Sequence, residues 1–229
     1  MKIEHIAAAF PSRKVTNEDI LELIRAASSD SFGELQKILK YVQRALKTSG
    51  SDSRYWLGEG ESSLGITVQA CKKAMSGLND DDPIDLLIVA SVYPELMEPA
   101  TANIIAHEIG FDYVECFDVK EACDGWMKAV KIASAFIESG MYRRIMVVNG
   151  EFVMSPGFGI YPNLFSISKP EEVEWRFPAF TLGEAATAMI IGPDEDNKWN
   201  FTNHTRNDLF DLCSITSVTS RMTCRIIMC

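Results

Sequence analysis

Two hydrophobic periodicities alternate along this chain. Leu35, Ile38, Leu39, Val42 and Leu46 recur at helical spacing, which predicts a helix over roughly 34–48, ended by Ser49-Gly50-Ser51-Asp52. Before it, Thr16-Asn-Glu-Asp19 reads as a helix start, a threonine cap with an acid three residues on, and Leu21 and Ile24, with Leu23 beside them, face inward. Leu64, Val68, Cys71 and Met75 form one stripe of a helix over 63–75, closed by the turn Asn79-Asp80-Asp81-Asp82-Pro83. The second pattern is the short, nearly continuous apolar run. Ile84 to Ser91, Arg144 to Asn149 and Ala185 to Ile191 read as strands buried on both faces, and Met1 to Phe10 as a first strand. Pro99 opens a predicted helix over 100–109, and Val114 to Val119 feeds a turn and then a helix capped by Ser139-Gly140. Arg143-Arg144 marks an exposed turn, and Lys128 and Lys131 fall on a solvated helix face. Residues 150–180, with Pro156, Pro162, Pro170 and Pro178, predict mostly loop. Alternating helices and buried strands argue an α/β fold. The stretch Leu212 to Cys229 has no glycine, proline, aromatic or acidic residue, and a strand, a disordered tail and an abnormal end of the reading frame all fit it.

Composition narrows the function classes. The chain has 229 residues, 22 basic and 32 acidic, for a net charge of −10, a surface that repels nucleic acid. No apolar run approaches the roughly 18 residues of a membrane span. The amino terminus makes a poor signal peptide, so reduced thiols and a cytoplasmic location are expected. The six cysteines lack C-x-x-C spacing, which argues against a zinc ribbon or a redox dithiol, and no metal site is expected.

Cys123 carries the chemistry. It sits between the predicted strand Val114–Val119 and the helix that follows, at a tight turn. A thiol at a helix N-terminus meets unpaired N–H groups and the helix dipole, which favour an anion. Such a setting lowers a thiol pKa from about 8.5, and the thiolate is the nucleophile. The alternative is a buried structural cysteine, the reading that also suits Cys71 on its helix stripe and Cys116 on its strand. Cys213, Cys224 and Cys229 receive no role. Glu98 precedes Pro99 at a helix start, where the dipole alone favours a carboxylate. Gly157-Phe-Gly159 lacks the context of a phosphate loop.

Four segments in order carry a family resemblance. They are Asp85 to Ser91 followed by Glu98-Pro-Ala-Thr-Ala-Asn103, Phe117 to Trp126 around Cys123, Ser139 to Glu151, and Phe180-Thr-Leu-Gly183-Glu-Ala-Ala-Thr-Ala188. Together they resemble the thiolase superfamily, specifically ketoacyl-acyl-carrier-protein synthase III-like condensing enzymes of fatty-acid and related lipid metabolism. The resemblance implies a thiolase-like mixed sheet layered with helices. It assigns residues 1–192 to the first half of a duplicated fold and 193–229 to the start of the second. The family's catalytic histidine and asparagine belong to that second half, and His5, His107 and His204 lie in no matching motif.

By that resemblance Cys123 takes an acyl group from a coenzyme A thioester, which is substrate rather than cofactor. A Claisen condensation with a malonyl or acyl thioester on acyl carrier protein follows. Glu98 falls where a loop reaches across a homodimer axis into the partner's acyl pocket. In the branch joining two fatty acyl chains, a glutamate there acts as a base. Arg54 and Trp56 fall near the coenzyme A nucleotide, Arg54 for phosphate and Trp56 for adenine, with Met97 also counted as substrate-binding. A loop anchored by an aromatic is the other reading of Arg54-Tyr-Trp56. Two further readings stay open: a non-catalytic homologue or dimer partner of a full-length condensing enzyme, and a cysteine hydrolase.

Overall fold

The continuous apolar runs become the inner strands of one sheet, with successive side chains sent to opposite faces. The computed structural model describes residues 1–28, 33–79, 82–92, 98–154 and 163–212. Met97 and Cys213, Cys224 and Cys229 lie outside the described residues, as does most of the stretch from Leu212 onward. Elements in chain order are β1 (Lys2–Ala9), β2 (Arg13–Thr16), α1 (Asn17–Ala27), α2 (Leu35–Ser49), β3 (Ser53–Trp56), α3 (Ser63–Met75), β4 (Leu86–Ala90), α4 (Thr101–Ile109), β5 (Glu115–Val119), α5 (Gly125–Glu138), β6 (Ile145–Glu151), α6 (Glu172–Thr181) and β7 (Ala185–Gly192).

The chain forms two compact units. The first contains residues 1–11, 57–152 and 185–202; the second contains 12–56, 153–184 and the described part of 203–229. These units divide the chain differently from the linear split at residue 192 that the resemblance implies.

In the first unit the five-stranded sheet has the order β1-β7-β6-β4-β5. β4 pairs parallel with both β5 and β6, while β7 runs antiparallel to β6 and β1. Leu87, Val89, Met146 and Val148 pack on one face against Ala70, Cys71 and Ala74 of α3 and Ala102, Ile105 and Ala106 of α4. Leu86, Ile88, Ala90, Ile145 and Val147 pack on the other face against Ala129, Val130 and Ala133 of α5. Two-sided burial is why these strands read as unbroken apolar runs.

In the second unit α1, α2 and α6 bury Ile20, Ile24, Ile38, Val42, Leu46, Phe165 and Phe180 in one cluster. The capping box at Thr16 forms as its sequence predicts. Asp19 N–H donates to Thr16 Oγ1 at 3.2 Å and Thr16 N–H to Asp19 Oδ2 at 2.7 Å. Those bonds to Thr16 hold the Asp19 carboxyl below its usual range.

Three expectations change. The two-stranded ribbon of β2 and β3 was absent from the pattern, because Arg-Lys-Val-Thr and Ser-Arg-Tyr-Trp are short and mostly polar. α6 forms inside the expected loop 150–180, even with Pro178 in it. Val173, Ala179 and Phe180 are buried there, and that packing outweighs a proline near the helix end. Arg144 does not sit in an exposed turn. It is 7% exposed, with Nε donating to Glu4 at 2.6 Å and Nη2 to Asp82 at 3.0 Å. Among the described residues, no helix is long and apolar enough to cross a membrane, and no cluster of three metal-ligating side chains occurs.

Candidate active site

β5 delivers the chain to Cys123. Its parallel register with β4 sets Val119 opposite Ala90 at the carboxyl end of the sheet. A single 3-10 turn, Ala122–Asp124, then leads into α5 at Gly125. Asp124 N–H donates to Glu121 O at 3.0 Å to close that turn. Ala122 adopts φ +40°, a left-handed conformation that costs a residue with a Cβ on the order of 1 kcal/mol. Strain of this kind concentrates where a chain must present one side chain at a sharp bend. A Cβ on Gly125 would lie 3.7 Å from Ala90 Cβ, ordinary contact between the start of α5 and the end of β4.

Among the described cysteines Cys123 is exposed, Cys71 buried and Cys116 half-buried, all three as free thiols. Burial pushes the Cys71 thiol up to about 12, and burial with the Asp118 charge raises Cys116. Neither can serve as a ready thiolate near neutral pH. α5 has no side-chain cap at Asp124, and the Gly125 N–H donates to Ala122 O, so the turn that carries Cys123 runs directly into the helix. Glu121 and Lys128 pair at 2.6 Å across the turn, a partly exposed bridge of small energetic weight.

Glu98 is exposed and sits just before α4. α4 begins at Thr101, two residues later than Pro99, and its Ala100 cap has no side-chain bond. Asp118 on β5 supplies the missing acceptors. Its Oδ2 accepts Thr101 N–H at 2.8 Å and its Oδ1 accepts Ala102 N–H at 2.9 Å. The strand leading to Cys123 therefore anchors the helix that follows Glu98. Sequence reasoning missed Asp118; the signal was a lone acid between Phe117 and Val119 in a strand. Asp118→Ala is expected to lower unfolding free energy by about 1–2 kcal/mol, as loss of a helix cap does. Asp118→Asn, which keeps one acceptor oxygen, should lose less, and thermal melts of the two variants check this.

Residues 117–156 match the family described as 3-oxoacyl-[acyl-carrier-protein (ACP)] synthase III. The matched span begins on β5 and contains the Cys123 turn, all of α5 and all of β6. This chain is synthase III-like. It is 30% identical over 182 residues to beta-ketoacyl-[acyl-carrier-protein] synthase III of Acholeplasma laidlawii, covering 76% of this chain and 54% of that one. It is 34% identical over 151 residues to the Rhizobium rhizogenes protein of the same name, covering 65% and 42%. Its fold is thiolase-like. The 3-oxoacyl-[acyl-carrier-protein] synthase III of Aquifex aeolicus superposes with a TM-score of 0.65 at 23% identity over 85% of this chain and 54% of that chain. Cerulenin-bound OleA of Xanthomonas superposes at 0.69 with 25% identity, over 83% and 57%. The chain spans about half the length of the curated relatives it matches.

Arg54 and Trp56 do not stand open for the nucleotide contacts that the resemblance implies. Both belong to the second unit and both are buried, 4% and 2% exposed. Trp56 Nε1 donates to Leu182 O at 2.9 Å, its ring packs near Phe165, and Arg13 lies over it at 5.5 Å. A ring so covered has no free face for adenine. Arg54 Nη2 is spent on Asn17 Oδ1 at 2.9 Å and Ser51 O at 3.2 Å, so it braces α1 and the turn before β3. Both side chains are held by contacts within the second unit.

Proposed function

We propose that this chain is the nucleophile-bearing part of a 3-oxoacyl-acyl-carrier-protein synthase III-type acyltransferase. The Cys123 thiolate adds to the carbonyl of an acyl-coenzyme A thioester, the tetrahedral adduct collapses to an acyl-cysteine as its bond to the coenzyme A sulfur breaks, and coenzyme A leaves as its thiol with the proton the cysteine gave up. One observation carries the reading: the exposed described thiol sits at a strained strand-to-helix turn, inside the segment that matches the synthase III family. A Claisen condensation with a malonyl or acyl thioester on acyl carrier protein is the second step. A homodimer and a cytoplasmic setting with reduced thiols accompany the reading, and coenzyme A enters as part of the substrate.

Incubation with acetyl- or lauroyl-coenzyme A tests it. Intact mass should rise by one acyl group, mapped to Cys123 by peptide analysis. Lauroyl-CoA is chosen because OleA has been solved with lauric acid and lauroyl-CoA bound. Absence of the adduct at millimolar thioester and pH 8 would sink the proposal.

Glu98 is assigned as the base that removes an α-proton from a second acyl thioester. Its exposed carboxylate at the start of the α4 segment is free to reach such a substrate. In deuterium oxide the chain should then exchange α-protons of acyl-coenzyme A. Glu98→Ala should slow that exchange by about 100-fold. Exchange at the wild-type rate in the variant removes Glu98 from the mechanism.

A further inference from the structure

Three side chains stitch the carboxyl end of β4 to that of β6. Glu151 Oε1 accepts Val92 N–H at 2.9 Å, just past the last residue of β4. The same oxygen accepts Asn149 Nδ2 at 3.2 Å, and Asn149 Nδ2 also reaches Ala90 O. Ser91 Oγ completes the seam by donating to Gly150 O at 3.1 Å. The strands are parallel here, and their ladder runs out at Val89 and Val148, so side chains take over from the backbone.

Glu151 is an unusual choice for this task. It is half-buried, and among the described residues no cation pairs with it. A neutral side chain could accept the same two N–H groups without burying a charge. What the carboxylate adds is strength, because a hydrogen bond to an ionised acceptor is roughly twice as strong as a neutral one. The seam has a direct route to the nucleophile. Ala90, held by Asn149, is the residue against which Gly125 packs, and Gly125 follows Cys123 and Asp124 at the start of α5.

We infer that Glu151 is a positioning residue for Cys123: it locks the end of β4 onto β6 and so fixes the surface on which the first turn of α5 rests. The inference depends on the reading of Cys123 as the acyl-accepting thiol. Small displacements of a nucleophile cost rate steeply, since attack needs a near-ideal approach to the carbonyl.

Burial raises the Glu151 pKa, with Val92 N–H and the Asn149 amide pulling the other way. A carboxyl whose pKa rises on folding opposes the folded state increasingly as pH climbs from its unfolded value to its folded one, and by a constant amount above that. Removing the charge should therefore stabilise the chain above the ordinary carboxylate range even as it slows acyl transfer. A residue that affects acyl transfer only through stability would not move rate and stability in opposite directions.

The experiment compares wild type, Glu151→Gln, Glu151→Ala and Cys123→Ala. Acetylation by acetyl-coenzyme A is followed by intact mass, with thermal melts from the ordinary carboxylate range up to neutral pH. Glu151→Ala should acetylate about tenfold more slowly. Glu151→Gln should be severalfold slower, yet melt above wild type by a margin that opens as pH rises above the ordinary carboxylate range and then levels off. Should the alanine variant fail to fold, the glutamine variant decides alone, because it keeps the volume and an acceptor oxygen. Wild-type acetylation rates in the variants, with no label on Cys123→Ala, overturn this inference and leave the nucleophile reading standing. Rate losses that simply follow lower melting temperatures also overturn it. A wild-type chain that takes no acetyl group overturns both.

Discussion

Cys123→Ala is expected to abolish the covalent adduct that acetyl- or lauroyl-coenzyme A leaves on this chain. No other described thiol can substitute. With the Cys71 thiol near 12, roughly one molecule in 10⁴ would carry that thiolate at pH 8, and it is buried on the inner face of α3. Cys116 is half-buried on β5 and raised by burial and by Asp118. Cys71→Ala should accordingly leave the adduct intact while costing some stability through its buried site. Cys123→Ser is the sharper control. It preserves shape and the strained turn but supplies a hydroxyl that is barely ionised at neutral pH, so acylation should fall by about 10³-fold or more. Quantitative intact-mass spectrometry after a fixed exposure reads all three. An adduct of undiminished size on Cys123→Ala would move the chemistry elsewhere.

The turn around Cys123 was legible because local rules agree there. A β-rich run, a polar break and an amphipathic helix each have their own signature, and the two-sided strands announced themselves as unbroken apolar runs. Legibility ended where a contact joins distant residues. Asp118 reads as a surface acid until α4 is seen to rest its first N–H groups on it, 16 and 17 residues away in sequence. Glu151 lies 59 residues from the N–H it accepts. Arg54 and Trp56 misled for a related reason. Basic and aromatic side chains suit a nucleotide equally well as they suit a buried brace, and only the packing of α1, β3 and Leu182 distinguishes the two. α6 failed differently: Pro156, Pro162, Pro170 and Pro178 made 150–180 read as loop, whereas in the fold the burial of Val173, Ala179 and Phe180 prevails.

Arg144→Met is expected to be the most destabilising single change outside the nucleophile turn, by about 3 kcal/mol. The guanidinium fills the base of the sheet at the start of β6, opposite the end that holds Cys123. Its side chain is 9% exposed and bonds Glu4 on β1, Asp82, and Pro83 O at 3.3 Å. Asp85 accepts both Arg143 and Arg144 N–H at 2.8 Å, so backbone and side chain are fixed together. Methionine would keep the stem and remove the charge, leaving the Glu4 carboxylate, 13% exposed, with only the more distant Lys2 ammonium at 4.0 Å. Pairing the change with Glu4→Leu should recover most of the loss, because removing both charges avoids the uncompensated one. pH supplies a second check. Hydrogen bonds from Asn79, and then the Arg144 charge, hold the Asp82 carboxyl below its ordinary 3.8. A depressed carboxyl contributes stability that is full above its unfolded value and fades as pH falls through the folded one. The gap between wild type and Arg144→Met should therefore narrow on acidification below the ordinary carboxylate range. Chemical denaturation at several pH values measures it. A gap that is small at pH 7, or that widens with acid, would mean the Arg144 network adds little to the stability of this sheet.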